Sequence, residues 1–281
     1  MEYGKVYLVP TPIGNLKDIT LRALEVLENV DEVAAEDTRQ SLKLLNHFNI
    51  KKPLFSYHQH NEQGKSDEIL SKLESGKNIA IVTDAGTPGI SDPGSVIVKK
   101  CIENNISFEV LPGATAITTA LVYSGLDTTK FIFRGFIPRE TKERKILTEE
   151  IKDKKETLIF YESPHRLIES LDYLKKSLGN RKIAVCRELT KLHEDIYRGT
   201  IEEAYNWFLE NKPRGEFVLV ISGKTESEIK AEKEQELSGI SVEQQLINLI
   251  NSGIDKKEAI KLVAKEREIP KKEVYKIAIN I

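Results

Sequence analysis

The sequence predicts an α/β protein of two successive sheet-containing halves, closed by a small all-α unit. Three observations predict it. From Val6 to Ser124 short apolar runs alternate with amphipathic ones, the pattern of βαβ units around a parallel sheet. The alternation restarts after the polar stretch Ser124-Gly-Leu-Asp-Thr-Thr-Lys130. From Val242 onward only helical periodicity remains.

In the first half, strands are predicted at Val6–Val9, Glu32–Ala35, Leu54–Tyr57, Ile79–Thr83 and Phe108–Leu111. Helices are predicted at Thr20–Val30, Gln40–Phe48, Ser66–Leu73, Ser95–Asn104 and Thr115–Ser124, the last closing this half. In the second half, strands at Phe131–Phe133, Leu158–Tyr161, Ile183–Cys186 and Phe217–Ile221 alternate with helices at Lys142–Ile151, Leu167–Leu178 and Ile201–Leu209. A further strand at Glu194–Arg198 would make the second sheet mixed. The run from Lys224 to Glu236, three Lys against five Glu, reads as an exposed helix or tether. Three helices then follow at Val242–Ile250, Lys257–Lys265 and Lys271–Ile279, with Glu268-Ile-Pro270 turning between the last two as in a helix-turn-helix. The predicted domains are 1–124, 125–224 and 225–281.

The 281 residues, 40% hydrophobic and 31% charged, suffice for a buried core and exclude general disorder. A net charge of −2 excludes a polycation, so any nucleic-acid surface must be local. From Asp255 to Ile281 eight Lys/Arg stand against five Asp/Glu, which suits a three-helix cap, a dimer arm or a nucleic-acid reader. Cys101 and Cys186 form no CxxC pair, and the apolar run Val6–Val9 is too short for a signal-peptide core. A cytoplasmic location with no membrane segment is expected.

In an open parallel sheet, ligands bind beyond the carboxyl ends of the strands. Five loops belong there: Pro10–Asn15, Glu36–Arg39, His58–Asn61, Asp84–Gly94 and Pro112–Thr115, each rich in Gly, Pro or small polar residues. The last two lead directly into helices, whose free N–H groups suit an anionic group. Any one loop could simply be a tight turn; five on one edge point to a ligand cleft. No GxGxxG follows the first strand. Neither Gly64-Lys65-Ser66 nor Gly223-Lys224-Thr225 has the glycine a phosphate loop needs. His58 and His60, two residues apart, lack metal-ligand spacing, so no metal is expected.

Five motifs occur in order: Pro10-Thr-Pro-Ile-Gly-Asn-Leu16, Ala35-Glu-Asp-Thr-Arg39, Thr83-Asp-Ala-Gly-Thr-Pro-Gly-Ile-Ser-Asp-Pro-Gly94, Phe160-Tyr-Glu-Ser-Pro-His-Arg166 and Arg187-Glu-Leu-Thr-Lys191. In these the chain resembles the bacterial ribosomal RNA small subunit 2′-O-methyltransferase I family of the tetrapyrrole methylase superfamily, essentially end to end. The resemblance implies two αβα domains of the class III methyltransferase type with a cofactor cleft between them, and S-adenosylmethionine as cofactor. It implies 2′-O-methylation of a cytidine ribose (1402 in rRNA numbering) in the decoding region of 16S rRNA on the 30S subunit, by a homodimer. Position 59 is Gln where the family often carries an acid, and Gly113-Ala114-Thr115 replaces a commoner Gly-Pro-Ser/Cys.

The same resemblance implies cofactor contacts from Pro12, Thr87, Ile90, Asp92, Thr115, Ala116, Tyr161, Cys186, Arg187, Gly215, Glu216 and Phe217. A ribose hydroxyl is a poor nucleophile while protonated, so a base on the rim is expected. Glu36, Asp37, His58, His60, Asp84 and Asp92 qualify, with Asp37, His58 and His60 as the expected catalytic set. Asp37 and Arg39 could instead pair and brace their loop. RNA contacts are expected from Arg39, Asn61, Arg134 and Arg139, the last two in a cluster with Lys142, Arg144 and Lys145, interleaved by Phe133 and Phe136. Two other functions fit the fold: methylation of a tetrapyrrole precursor, and non-catalytic ribosome binding.

Overall fold

The computed structural model describes residues 3–230, 239–279 and 281. Its contacts divide the chain into two compact units, Met1–Gly223 and Lys224–Ile281, so both sheets share the first unit.

The first sheet is fully parallel. Its strands β1 (Val6–Leu8), β2 (Glu32–Ala35), β3 (Leu54–Ser56), β4 (Ile79–Val82) and β5 (Phe108–Val110) lie in the order β3-β2-β4-β1-β5. Their near-continuous apolar runs are what a sheet covered on both faces requires. Helices α1 (Leu21–Asn29) and α2 (Thr38–His47) bury Ala23, Leu27 and Leu45 against Val33, Ala35, Ala80 and Val82 on one face. Helices α3 (Glu62–Glu74) and α4 (Ser95–Glu103) bury Ile69, Leu73, Ile97 and Cys101 against Val6, Ala34, Ile79 and Ile81 on the other.

The second sheet holds β6 (Phe131–Phe136), β7 (Thr157–Glu162), β8 (Lys182–Arg187), β9 (Asp195–Thr200) and β10 (Phe217–Ile221) in the order β6-β7-β10-β8-β9. Of the neighbouring pairs only β6 and β7 are parallel, so the sheet is mixed, and the expected extra strand is β9. Helices α6 (Thr141–Ile151), α7 (Leu167–Leu178) and α8 (Ile201–Glu210) cover one face through Leu147, Leu171, Leu174, Ala204 and Phe208.

The opposite face is covered by α5 (Ala116–Ser124), and here the structure corrects the sequence reading. Ile117, Ala120 and Leu121 pack on Ile159, Ala184, Cys186, Val218 and Val220 of the second sheet. The helix that was expected to close the first half roofs the second. Its side chains are apolar nearly all round, so its sequence names no single partner.

In the second unit, α9 (Val242–Asn251), α10 (Lys256–Glu266) and α11 (Lys271–Ala278) enclose a core of Leu246, Ala259, Ile260, Val263, Val274 and Ala278. Ser241 and Asp255 cap the first two helices by accepting from Gln244 N and Lys257 N. Of the charged run after Gly223, residues 226–230 are helical, and 231–236 lie outside the described residues. No helix among the described residues is long and apolar enough to cross a membrane.

Candidate functional site

The carboxyl ends of the first sheet's strands meet the second sheet around a cavity of about 400 Å³. From the first half come Ile13, Glu36, Asp84, Thr87, Ile90, Asp92, Thr115 and Ala116. From the second come Phe136, Tyr161, Glu162, Ser163, Cys186, Leu189, Glu216, Phe217 and Val218.

Backbone bonds hold the loops in place. Thr11 N donates to Gly86 O at 2.9 Å and Gly86 N returns a bond to Thr11 O at 3.0 Å, pinning the β1 loop to the β4 loop. Thr87 Oγ1 donates to Ala114 O at 3.1 Å, and Gln59 Nε2 to Ser91 O at 3.2 Å. Asn15 N donates to Thr190 Oγ1 at 2.9 Å, tying the first half to the second. On the far wall Glu188 Oε1 accepts from Glu216 N at 2.9 Å and from Lys191 Nζ at 3.0 Å. Gly215 serves this seam at φ +85°, where an added Cβ would stand 2.5 Å from Glu188 Cγ.

The β6 edge is aimed by a register shift between Phe133 and Phe136, with Gly135 at φ +65°. It turns Phe136 onto Tyr161, ring centroids 5.7 Å apart, at the cavity wall. Below them Glu162, 2% exposed, accepts from Ser163 N at 2.8 Å and faces Arg166 Nη1 at 3.6 Å. Arg166 Nη2 reaches Ile137 O, so this buried pair locks the end of β7 to the chain leaving β6.

Three carboxylates give the cavity its character. Asp84 N donates to Glu36 Oε2 at 3.4 Å, and Asp37 N donates to Asp84 Oδ1 at 3.1 Å, which interlocks the ends of β2 and β4. Removal from water raises the pKa of Glu36 and of Asp84. Burial, with the charges of Glu36 and Asp84, pushes Asp92 up to about 7.

Of the sequence-derived cofactor residues, Thr87, Ile90, Asp92, Thr115, Ala116, Tyr161, Cys186, Glu216 and Phe217 line this cavity. Pro12 does not; it lines a second cavity of about 400 Å³ with Gln40, Ser41, Lys43 and Lys191. Ile13, Asp84, Ala85 and Glu216 belong to both cavities. Arg187 and Gly215 lie outside the lining, Arg187 facing Asp195 at 3.8 Å and Gly215 shaping the seam.

The expected catalytic set is placed differently. Asp37 accepts from Arg39 N at 2.8 Å and Arg39 Nη2 at 2.7 Å, which holds its carboxyl down to about 2. The pair caps α2 and braces the loop, so Asp37 is poorly suited to take a proton, and Arg39 is occupied. His58 and His60 lie 6.0 Å apart outside the lining. Asn61 accepts from His58 N at 2.8 Å and donates toward Ser56 O at 3.3 Å, so it braces its own loop. Arg134 pairs with Glu150 and Arg144 with Glu169, whereas exposed Arg139 has no ion-pair partner among the described residues. Sequence reasoning did not assign Ile13, Phe136, Glu162, Ser163, Leu189 or Val218 to the site. Ile13, Glu162, Ser163 and Leu189 stand inside the ordered motifs quoted above and Phe136 inside the basic-aromatic cluster, whereas Val218 is an apolar strand residue with no local signal.

A model of the family "Tetrapyrrole (Corrin/Porphyrin) Methylases" matches residues 5–205. Along 98% of its length the chain is 48% identical to a Halalkalibacterium halodurans protein named "Ribosomal RNA small subunit methyltransferase I", 95% of which is covered. The chain belongs to the tetrapyrrole methylases, in the small subunit methyltransferase I family. A Bacillus subtilis protein of the same name is 48% identical over 98% of this chain and 94% of its own length. One from Thermotoga maritima is 45% identical over 221 residues, 79% of this chain but 99% of the relative. Among solved structures, the uroporphyrin-III-C-methyltransferase of Thermus thermophilus superposes with a TM-score of 0.57 at 22% identity, over 77% of this chain and 94% of that one. At that identity the likeness speaks for the fold. The class III methyltransferase architecture expected from the motifs is therefore the observed one.

Proposed function

We propose that this chain transfers a methyl group from S-adenosylmethionine to the ribose 2′-hydroxyl of a cytidine in the decoding region of 16S rRNA, on the small ribosomal subunit. The observation that carries this reading is the 48% identity, over 98% of the chain, with proteins named for small-subunit RNA methylation.

The main cavity fits the cofactor. Its volume lies in the range of small-molecule sites. Glu36 and Asp92 complement the positive sulfonium and ammonium groups, while Ile13, Leu189, Phe217 and Val218 offer an apolar bed for a purine. Thr87, Ile90, Thr115, Ala116, Tyr161, Cys186 and Glu216 complete the assigned contacts. When bound, the cofactor supplies an electrophilic methyl group.

The residues of the chain do the rest. The second cavity, with Gln40, Ser41, Lys43 and Lys191 on its walls, receives the target nucleotide. Asp84 borders both cavities and accepts the 2′-hydroxyl proton on its carboxylate, in place of Asp37 and the histidines. The loop-to-loop bonds hold hydroxyl and methyl in line, which is most of what a displacement at carbon requires. A homodimer and a cytoplasmic location belong to the same reading; light scattering of the purified chain tests the first.

The decisive experiment is methyl transfer from labelled S-adenosylmethionine to 30S subunits lacking the modification, with naked 16S rRNA alongside. Label on one cytidine ribose is expected. Cofactor binding with no label on either RNA would redirect the assignment to a small-molecule acceptor.

A further inference from the structure

The C-terminal unit carries a feature that the methyl-transfer chemistry does not use. Lys257 and Lys261 project from α10 one turn apart, and Lys271, Lys272 and Lys276 from α11; the five line one shallow cavity of about 580 Å³ with Tyr275. None of the five has an ion-pair partner among the described residues. Three acids of the unit are engaged elsewhere: Asp255 caps α10, Glu266 accepts from Gln245 at 2.8 Å, and Glu268 pairs with Lys230 at 2.9 Å. Glu258 and Glu273 do not line the cavity. Tyr275 is 59% exposed at its edge.

Five like charges around one concavity repel one another, and the arrangement is relieved by a polyanion. We propose that this lysine face grips the phosphate backbone of the substrate RNA, with Tyr275 offering a ring to an unpaired base; the proposal rests on the RNA-methylating function above. Ammonium groups spaced one turn apart on two helices match a run of phosphates, and an exposed tyrosine among them suits single-stranded or looped RNA. The Thermotoga maritima relative, spanned at 99% by 221 aligned residues, is about as long as the two-sheet unit alone. The C-terminal unit therefore adds grip rather than chemistry.

The test is a full-length chain carrying Lys257→Glu, Lys261→Glu, Lys272→Glu and Lys276→Glu, with the four Lys→Gln changes as a second variant should the reversals disturb folding. Methyl transfer is measured against 30S concentration at several salt concentrations. The expected result is a KM for subunits raised about tenfold or more, with kcat and cofactor affinity unchanged. The dependence of log affinity on log salt should become shallower by about 3, since each phosphate contact contributes roughly 0.7–0.9. An unchanged KM and salt slope would overturn the proposal. So would a shift from dimer to monomer with RNA affinity intact, which would assign the face to a second copy of the chain. If wild-type enzyme labels no subunits at all, it is the underlying function that fails.

Discussion

At the scale of single residues, the cavity is governed by how Glu36, Asp84 and Asp92 share charge. Asp92 titrates near 7, so it is about one-tenth ionised at pH 6 and nine-tenths at pH 8. Where the ionised form holds a cationic cofactor, affinity should rise about tenfold across that interval, and Asp92→Asn should flatten the profile; calorimetric titration at each pH checks it. The sign for stability runs the other way. The folded value lies above the ordinary 3.8, so an ionised Asp92 costs stability that accumulates as pH climbs from about 4 through 7. Without cofactor, Asp92→Asn should melt a few degrees above wild type at pH 8, and the two should converge near pH 4. Asp84→Asn should separate proton transfer from binding: kcat down by about 10²–10⁴ with the cofactor dissociation constant changed only a few-fold. A kcat within threefold of wild type would remove Asp84 from its role.

At the scale of elements, the wall from the second half depends on one buried pair. Glu162 has no exposed carboxylate surface, and Arg166 both faces it and bonds Ile137 O. Arg166→Ala leaves a buried charge without its partner, so a loss of about 3–5 kcal/mol is expected in urea unfolding. A loss below 1 kcal/mol would mean that Ser163 N and the Ser170 hydroxyl, which donates to Glu162 Oε2, satisfy Glu162 unaided. The elements also mark what the sequence could and could not disclose. The five loops on one edge were legible because strand alternation orders them before any contact is known. The partner of α5 was not, since an apolar helix packs equally well on either sheet. The acidic wall was visible only as candidates, because Glu36 after β2 meets Asp84 and Asp92 of the loop after β4 only through the pairing of strands distant in sequence. The bracing of Asp37 by Arg39 was legible as an alternative, two residues apart and charged oppositely, but only geometry chooses it.

At the scale of the whole molecule, two compact units, each with buried apolar residues of its own, share one chain. The second unit buries its own apolar residues, Leu246, Val263 and Val274 among them. Calorimetry of the full chain should therefore show a small transition that disappears on truncation after Gly223, leaving the main one within a few degrees of its original midpoint. A main transition lowered by more than about 10 °C would show the two units to be thermodynamically coupled. The sequence announced this division through its charged run and its change of periodicity. It gave no sign that both sheets would fall into a single unit.

The placement of α5 has a further consequence, for the order in which the protein can be made. Its apolar face is completed by Val218 and Val220 of β10, the last strand of the second sheet in sequence and its central strand in space. A nascent chain that has emerged only as far as Ser124 carries Ile117 and Leu121 with nothing to cover them. It must wait for some hundred more residues, several seconds of synthesis at about 5–20 residues per second, before that surface closes. The first sheet, covered on both faces by α1–α4, can close without α5, whereas the seat of α5 and the cavity between the two sheets are among the last features to form.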